Sequence, residues 1–192
     1  EFFTPEETKK FVIDAAMLGI RIVPEFDVPA HASSWLFAMP YLAPEKDPLE
    51  QPVHEYGLFR HMVDPSHDAT WQTLEVFFLD MAEVFPDKYW HTGGDEPMWD
   101  HWRESPAINA FLKKVGVTSI PQLLAYVTAR LRVVLGKLKK RMVVWEESCE
   151  RLIHHWSGVN LPNGPAPVID AFDFNGTTMN RDRRPDENPL RD

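Results

Sequence analysis

The sequence predicts an α/β protein built on a mostly parallel sheet with both faces covered. Three observations carry that prediction. Short apolar runs the length of a strand alternate with segments of helical periodicity. Helix passes into strand with almost no connecting loop, the habit of strand–helix units. Acidic clusters then follow directly on the strand ends, where parallel sheets gather their chemistry.

Thr4-Pro5-Glu6-Glu7 starts the first helix: Thr4 caps, Pro5 suits the first helical position and Glu7 closes a capping box. Phe11, Val12, Ala15 and Leu18 recur at helical spacing and are expected to face inward, with Gly19 as the stop. Residues 20–23 follow as a short strand closed by Pro24. A second helix carries Trp71, Leu74, Phe78, Met81, Ala82 and Phe85 and stops at Pro86; residues 88–91 read as the next strand. Ser105-Pro106 opens a third helix with Ile108, Phe111, Leu112 and Val115 inward and Gly116 past its end. A longer fourth helix bears Leu124, Val127, Leu131, Val134, Leu135 and Leu138 and feeds a strand at residues 142–145. After a Pro/Gly-rich stretch, residues 168–174 make the last strand candidate. Residues 175–192, crowded with charge and proline, read as a solvated or disordered tail to a domain spanning 1–174.

Composition narrows the function. The 192 residues carry 20 Lys and Arg against 29 Asp and Glu, a net charge of −9, with no basic stripe for a nucleic acid. No apolar run reaches the ~20 residues of a membrane span. Cys149 is the single cysteine, which excludes an internal disulfide and a Cys-rich metal site; it reads as an inert buried thiol. No leader-like segment reads from the first residues, which begin at Glu1 without a Met. The first strand is followed by no glycine-rich phosphate fingerprint, so a nucleotide site is not expected.

Three predicted strands end in carboxylates: Glu25 and Asp27, then Asp95 and Glu96, then Glu146 and Glu147. The sharpest segment is His91-Thr92-Gly93-Gly94-Asp95-Glu96, where two glycines let the backbone turn and approach a ligand closely. An Asp–Glu pair in a loop is ordinarily two solvated acids. The preceding strand, the glycines and the upstream acids argue instead for a site in which neighbouring acids divide their tasks, one protonated and one ionised.

That segment resembles the His-x-Gly-Gly-Asp-Glu signature of family 20 glycoside hydrolases, the β-N-acetylhexosaminidases. Residues 19–31, through Pro24-Glu25-Phe26-Asp27-Val28-Pro29-Ala30-His31, resemble the family's third-strand segment, with Ala30 where the family usually has Gly. Val143-Val144-Trp145-Glu146-Glu147 resembles its fifth-strand segment. The resemblance covers residues 1–147 well and the remainder poorly. It implies part of a (β/α)8 TIM barrel, roughly the third to sixth strand–helix units, with the site on the C-terminal face. It implies substrate-assisted retaining hydrolysis of terminal β-linked N-acetylhexosamines on glycoconjugates or chito-oligosaccharides. Glu96 would then be the general acid and base, and Asp95 the anion that holds the acetamido N–H. His31 would orient Glu96, and Trp145 would wall the acetamido pocket with Phe172 as its companion. Glu25, Asp27 and His91 would be supports. No cofactor or metal is implied. A secreted, periplasmic or lysosomal setting is, and a homo-oligomeric full-length form is compatible with it.

Other residues have plainer readings. Trp99 and Trp102 are expected to pack the loop after the acidic pair, and Glu146 and Glu147 to start a helix or line a loop. His54, His61 and His67 lack metal-ligand spacing, and His154 and His155 face opposite ways on any helix. A whole barrel needs eight units in ~250 residues. The family's first-strand Arg, its second-strand Asp and its seventh- and eighth-strand pocket residues are all absent, so the expectation is the middle of a catalytic domain with little turnover alone. Two alternatives stand beside it: a catalytically incompetent product serving as a sugar-binding or interaction module, and a metal-dependent hydrolase using His31, His91 and Asp95.

Overall fold

The computed structural model describes residues 2–44, 49–146, 148, 170–172 and 178–179, the last two stretches by backbone alone. Helix α1 is Pro5–Met17, α2 is Ser33–Ala38, and a 3-10 turn follows at Pro40–Leu42. Then come α3 (Asp68–Ala82), β1 (Tyr89–His91), α4 (Asp100–Glu104), α5 (Pro106–Val115), α6 (Ile120–Lys137) and β2 (Arg141–Trp145). Strands β3 (Asp170–Phe172) and β4 (Thr178–Met179) complete the described part.

Local signals place the helix ends. Thr4 and Glu7 form the reciprocal capping box: Glu7 N donates to Thr4 Oγ1 at 3.2 Å and Thr4 N to Glu7 Oε2 at 2.8 Å. Ser105 caps α5 by accepting from Ile108 N, and Gly116 ends that helix in the left-handed region at φ 74°. Helix α3 starts three residues before Trp71 and ends at Ala82, with its last apolar residue, Phe85, held beyond the helix by a turn onto the Met81 carbonyl.

The sheet runs β1-β2-β3-β4, with β1, β2 and β3 parallel and β4 antiparallel to β3. Trp90 lies opposite Met142, and Trp145 opposite Phe172. Strand β4 falls inside the stretch read as an unstructured tail; two of its residues pair through backbone, which composition does not register. Residues 168, 169, 173 and 174 of the last expected strand lie outside the described residues, as do Glu147, Cys149, His154 and His155.

Two expectations need correction. Residues 20–23 are not a strand. Pairing on that side of β1 begins later, with His91 N donating to Pro24 O, Phe26 N to His91 O, and Val28 N to Thr92 O. Arg21 is instead drawn to Asp87, two residues ahead of β1. The inward face of α1 is also narrower than its periodicity suggests. Val12 and Ala15 are buried, but Phe11 is 60% exposed and Leu18 77%, because among the described residues no element covers that side of the helix.

Alternation then sorts the two faces of the sheet. On one face Phe26 meets Phe77, Phe78, Phe85 and Trp90 edge-on or tilted, at centroid distances of 5.0 to 6.0 Å. Met142 and Val144 join the same buried cluster. This aromatic layer pins the chain after α1 against α3 and β1. The neighbours of Phe26 in sequence, Glu25 and Asp27, are thereby turned to the opposite face, Glu25 beside His91 and Trp145 and Asp27 beside the Gly93-Gly94 turn. The long connection between α2 and α3 is likewise tied down: Val63 N donates to Pro29 O, Asp64 N to Leu42 O, and Trp102 Nε1 to Val63 O. Trp102 is fully buried and half-buried Trp99 packs beside it, so both pack the loop as expected.

Candidate active site

The polar face brings together side chains from three neighbouring chain segments. His31, from the turn beyond residues 24–28, sits with Nε2 3.4 Å from Glu96 Oε2 and 3.6 Å from Asp95 Oδ2. The Asp95 side chain is 17% exposed and that of Glu96 39%, so the two adjacent acids differ in their access to water. His31 and Glu96 both hold left-handed backbone, at φ 49° and 46°, a conformation that costs a residue with a Cβ and persists where surroundings over-determine it.

Asp27 lies under the Gly93-Gly94 turn. Gly94 N donates to its Oδ1 at 2.8 Å. Burial pushes the Asp27 carboxyl up to about 8, the Asp95 and Glu25 charges push the same way, and the Gly94 N–H opposes them. The inner acid is thus protonated near neutrality and stands beside an ionisable partner in Asp95.

A second group surrounds Glu25. Trp145 Nε1 donates to Glu25 Oε1 at 2.9 Å, His91 Nδ1 lies 3.2 Å from the same oxygen, and the His91 and Trp145 rings are 4.7 Å apart. His91 Nδ1 is also 3.0 Å from Gly93 N. One ring nitrogen cannot donate and accept together, so the tautomer chooses between them. With the proton on Nδ1, the hydrogen bond to Glu25 holds that carboxyl below its usual range.

The two glycines owe their place to packing within the site. A Cβ on Gly93 would fall 1.9 Å from Asp27 Oδ1, and one on Gly94 would fall 2.2 Å from Ser148 Oγ. Besides the ligand approach that the sequence suggested, these glycines make room for Asp27 and Ser148. Ser148 itself was missed. It lies three residues past Trp145 in no motif, and only the fold carries it to the turn.

The sequence-level site residues therefore fall into two clusters: Asp27, His31, Asp95 and Glu96, then Glu25, His91 and Trp145. The backbone of Phe172 is paired opposite Trp145. Ligand atoms of Asp27, His31 and Asp95 lie within 4.8 Å of one another. A cation there would need the proton of Asp27, and His91, named in the metal alternative, belongs to the other cluster. Of the remaining histidines, His61 stacks edge-on to His101 and His67 lies 3.9 Å from Asp64.

Parallel strands that deliver an adjacent Asp–Glu pair, bridged by a histidine from the next segment, define an α/β carboxylate site of the kind suited to proton transfer. Residues 1–161 match the glycosyl hydrolase family 20 catalytic domain, and the chain belongs to that family. It is 35% identical over 145 residues to β-hexosaminidase subunit alpha of Rattus norvegicus, covering 76% of this chain and 27% of that protein. The structure is similar to the Flavobacterium johnsoniae chitobiase, with TM-score 0.72 and 35% identity over 77% of this chain and 22% of the other. It is also similar to an exo-β-N-acetylglucosaminidase of Vibrio harveyi in complex with N-acetylglucosamine, with TM-score 0.71 and 27% identity over 90% and 25% of the two chains. The chain spans about a quarter of the length of these relatives. No helix among the described residues is long and apolar enough to cross a membrane.

Proposed function

We propose that this chain supplies the centre of an active site that hydrolyses terminal, non-reducing β-linked N-acetylhexosamines by substrate-assisted retaining catalysis. The observation that carries the reading is His31 held 3.4 Å from Glu96 and 3.6 Å from Asp95 over an adjacent acid pair. Residues 1–174 form roughly the third to sixth strand–helix units of a (β/α)8 barrel, and residues 175–192 its tail.

In this scheme Glu96, the more open acid, protonates the glycosidic oxygen as the C–O bond breaks. The substrate's acetamido oxygen forms the new bond to the anomeric carbon, giving a cyclic oxazolinium. Glu96, now a carboxylate, takes a proton from water, whose oxygen opens the ring from the other face and leaves the configuration retained. Asp95 holds the acetamido N–H and balances its developing positive charge. Asp27, protonated and half-buried, donates toward Asp95 without adding a second negative charge. His31 orients Glu96. Trp145, tethered to Glu25 beside His91, walls the acetamido pocket, with Phe172 opposite. The partner is an N-acetylhexosamine-containing glycan, and the full-length form can be a homo-oligomer.

Three compounds test the reading in the full-length protein. A cyclic thiazoline mimic of the intermediate should bind far better than N-acetylglucosamine, and a glucoside without the acetamide should be nearly inert. A covalent adduct between Asp95 and a 2-fluoro glucoside would overturn it.

A further inference from the structure

The carbonyl of Gly93 and both backbone polar groups of Gly94 are held. Gly93 N lies 3.0 Å from His91 Nδ1, and Gly93 O accepts from Trp145 N at 3.2 Å. Gly94 N donates to Asp27 at 2.8 Å. Gly94 O accepts from Ser148 Oγ at 2.7 Å, and Ser148 is only 1% exposed. The last bond has a mechanical meaning. The carbonyl of Gly94 and the N–H of Asp95 belong to one planar peptide unit, so fixing the carbonyl fixes the direction in which the chain enters Asp95. Gly94, at φ 92° and without a Cβ, supplies no such restraint of its own.

We propose that Ser148 is a positioning residue for Asp95, acting through the carbonyl of Gly94; the role in turnover rests on the hydrolase reading above. Asp27 holds the N-terminal side of the Gly94 residue and Ser148 the C-terminal side, so the turn is gripped from the two segments that flank β1. Ser148 also follows β2 by three residues, the strand that ends in Trp145. The anion at the substrate nitrogen and the wall of the acetamido pocket are thereby referenced to one strand end. Glu96, the next residue but one after Gly94, keeps its left-handed backbone within the same grip.

The test compares Ser148→Ala, Ser148→Cys and Ser148→Thr in the full-length protein, with kcat and KM on an aryl β-N-acetylglucosaminide and inhibition by the thiazoline. Ser148→Ala should lower kcat about 10- to 100-fold through misaim, with little change in KM. Thiazoline affinity should fall alongside kcat, while affinity for N-acetylglucosamine stays. Ser148→Thr, which keeps the hydroxyl, should recover much of the loss. If Ser148→Ala does not fold, Ser148→Cys, close in size but a weak donor, replaces it. A foldable variant without the hydroxyl whose kcat and thiazoline affinity stay within about twofold of the parent overturns the proposal, whatever its melting temperature. Should the parent protein cleave no N-acetylhexosaminide, the hydrolase reading fails separately. Ser148 is then judged by amide hydrogen exchange at residues 94–96: faster exchange in Ser148→Ala sustains the grip, and unchanged exchange overturns it.

Discussion

His31 and Glu96 meet at 3.4 Å, Nε2 to Oε2, and both do so from left-handed backbone. Two residues with side chains in a sparsely populated conformation, facing each other across a strand boundary, indicate that their aim is set by the surrounding fold. If His31 orients Glu96, His31→Ala should lower kcat with a modest change in KM, because the lost contact matters most in the transition state. Steady-state kinetics on the full-length protein check this. A variant that melts earlier with unchanged kinetics would make His31 purely structural.

Glu96 itself is separable by leaving group. General acid help is worth ~10²–10⁴-fold and is needed most when the departing alcohol is poor. Glu96→Gln should therefore cripple alkyl β-N-acetylglucosaminides far more than activated aryl ones. Equal losses on both series would remove Glu96 from the acid role.

Asp27 makes stability depend on pH with a defined sign. Its carboxyl rises from an ordinary 3.8 to about 8 in the fold, so between those values the folded protein keeps a proton that the unfolded chain releases. Stability is then fully present below the lower value and declines as pH rises through the upper one. Asp27→Asn should flatten that decline, and urea unfolding across the interval reads it directly. An unaltered slope would mean that Asp27 is ionised in the folded state.

Gly93 tolerates no side chain. A Cβ would overlap Asp27 Oδ1 at 1.9 Å, and φ is 61°. Gly93→Ala should cost about 1–3 kcal/mol from backbone strain alone, with displacement of Asp27 added. Chemical denaturation of the two proteins side by side checks the difference.

Helix α1 and its flanks expose Phe2, Phe3, Phe11, Ile13, Met17, Leu18 and Ile20. Clustered apolar surface of this kind associates or binds hydrophobic dyes. The 192-residue chain expressed alone should bind such a dye and self-associate, as light scattering would record. Replacing Phe11 and Leu18 with Lys should reduce both, and no change would place the association elsewhere.

Helices α1, α3, α5 and α6 were legible because their signals are local, while the short α2 and α4, which have no side-chain cap, went unread. Thr4 and Glu7 cap one another across one turn, Ser105 satisfies an N–H three residues on, and Gly116 takes the backbone that ends α5; each interaction lies within a few residues of its own sequence. The His91 to Glu96 motif likewise marked where chemistry would gather, whereas the placing of Glu25 and Asp27 on one face came from the packing of Phe26. Periodicity describes which residues share a side, and it does not say what lies against that side. Phe11 and Leu18 share the apolar stripe of α1 with Val12 and Ala15, yet only the latter two find a neighbour. Residues 20–23 have strand composition, but hydrogen bonding needs a partner in register, and β1 offers one only from Pro24 onward.

Within the site the division is the same. Residue types and their order marked Asp95, Glu96 and His31 as candidates. Only the packed structure decided that His31 bridges the acid pair, that His91 belongs with Glu25 and Trp145, that Asp27 is buried deeply enough to hold its proton, and that Ser148 reaches Gly94 from 54 residues away. Burial and through-space charge depend on distances between segments remote in sequence, and those distances exist only once the parallel strands have set their register.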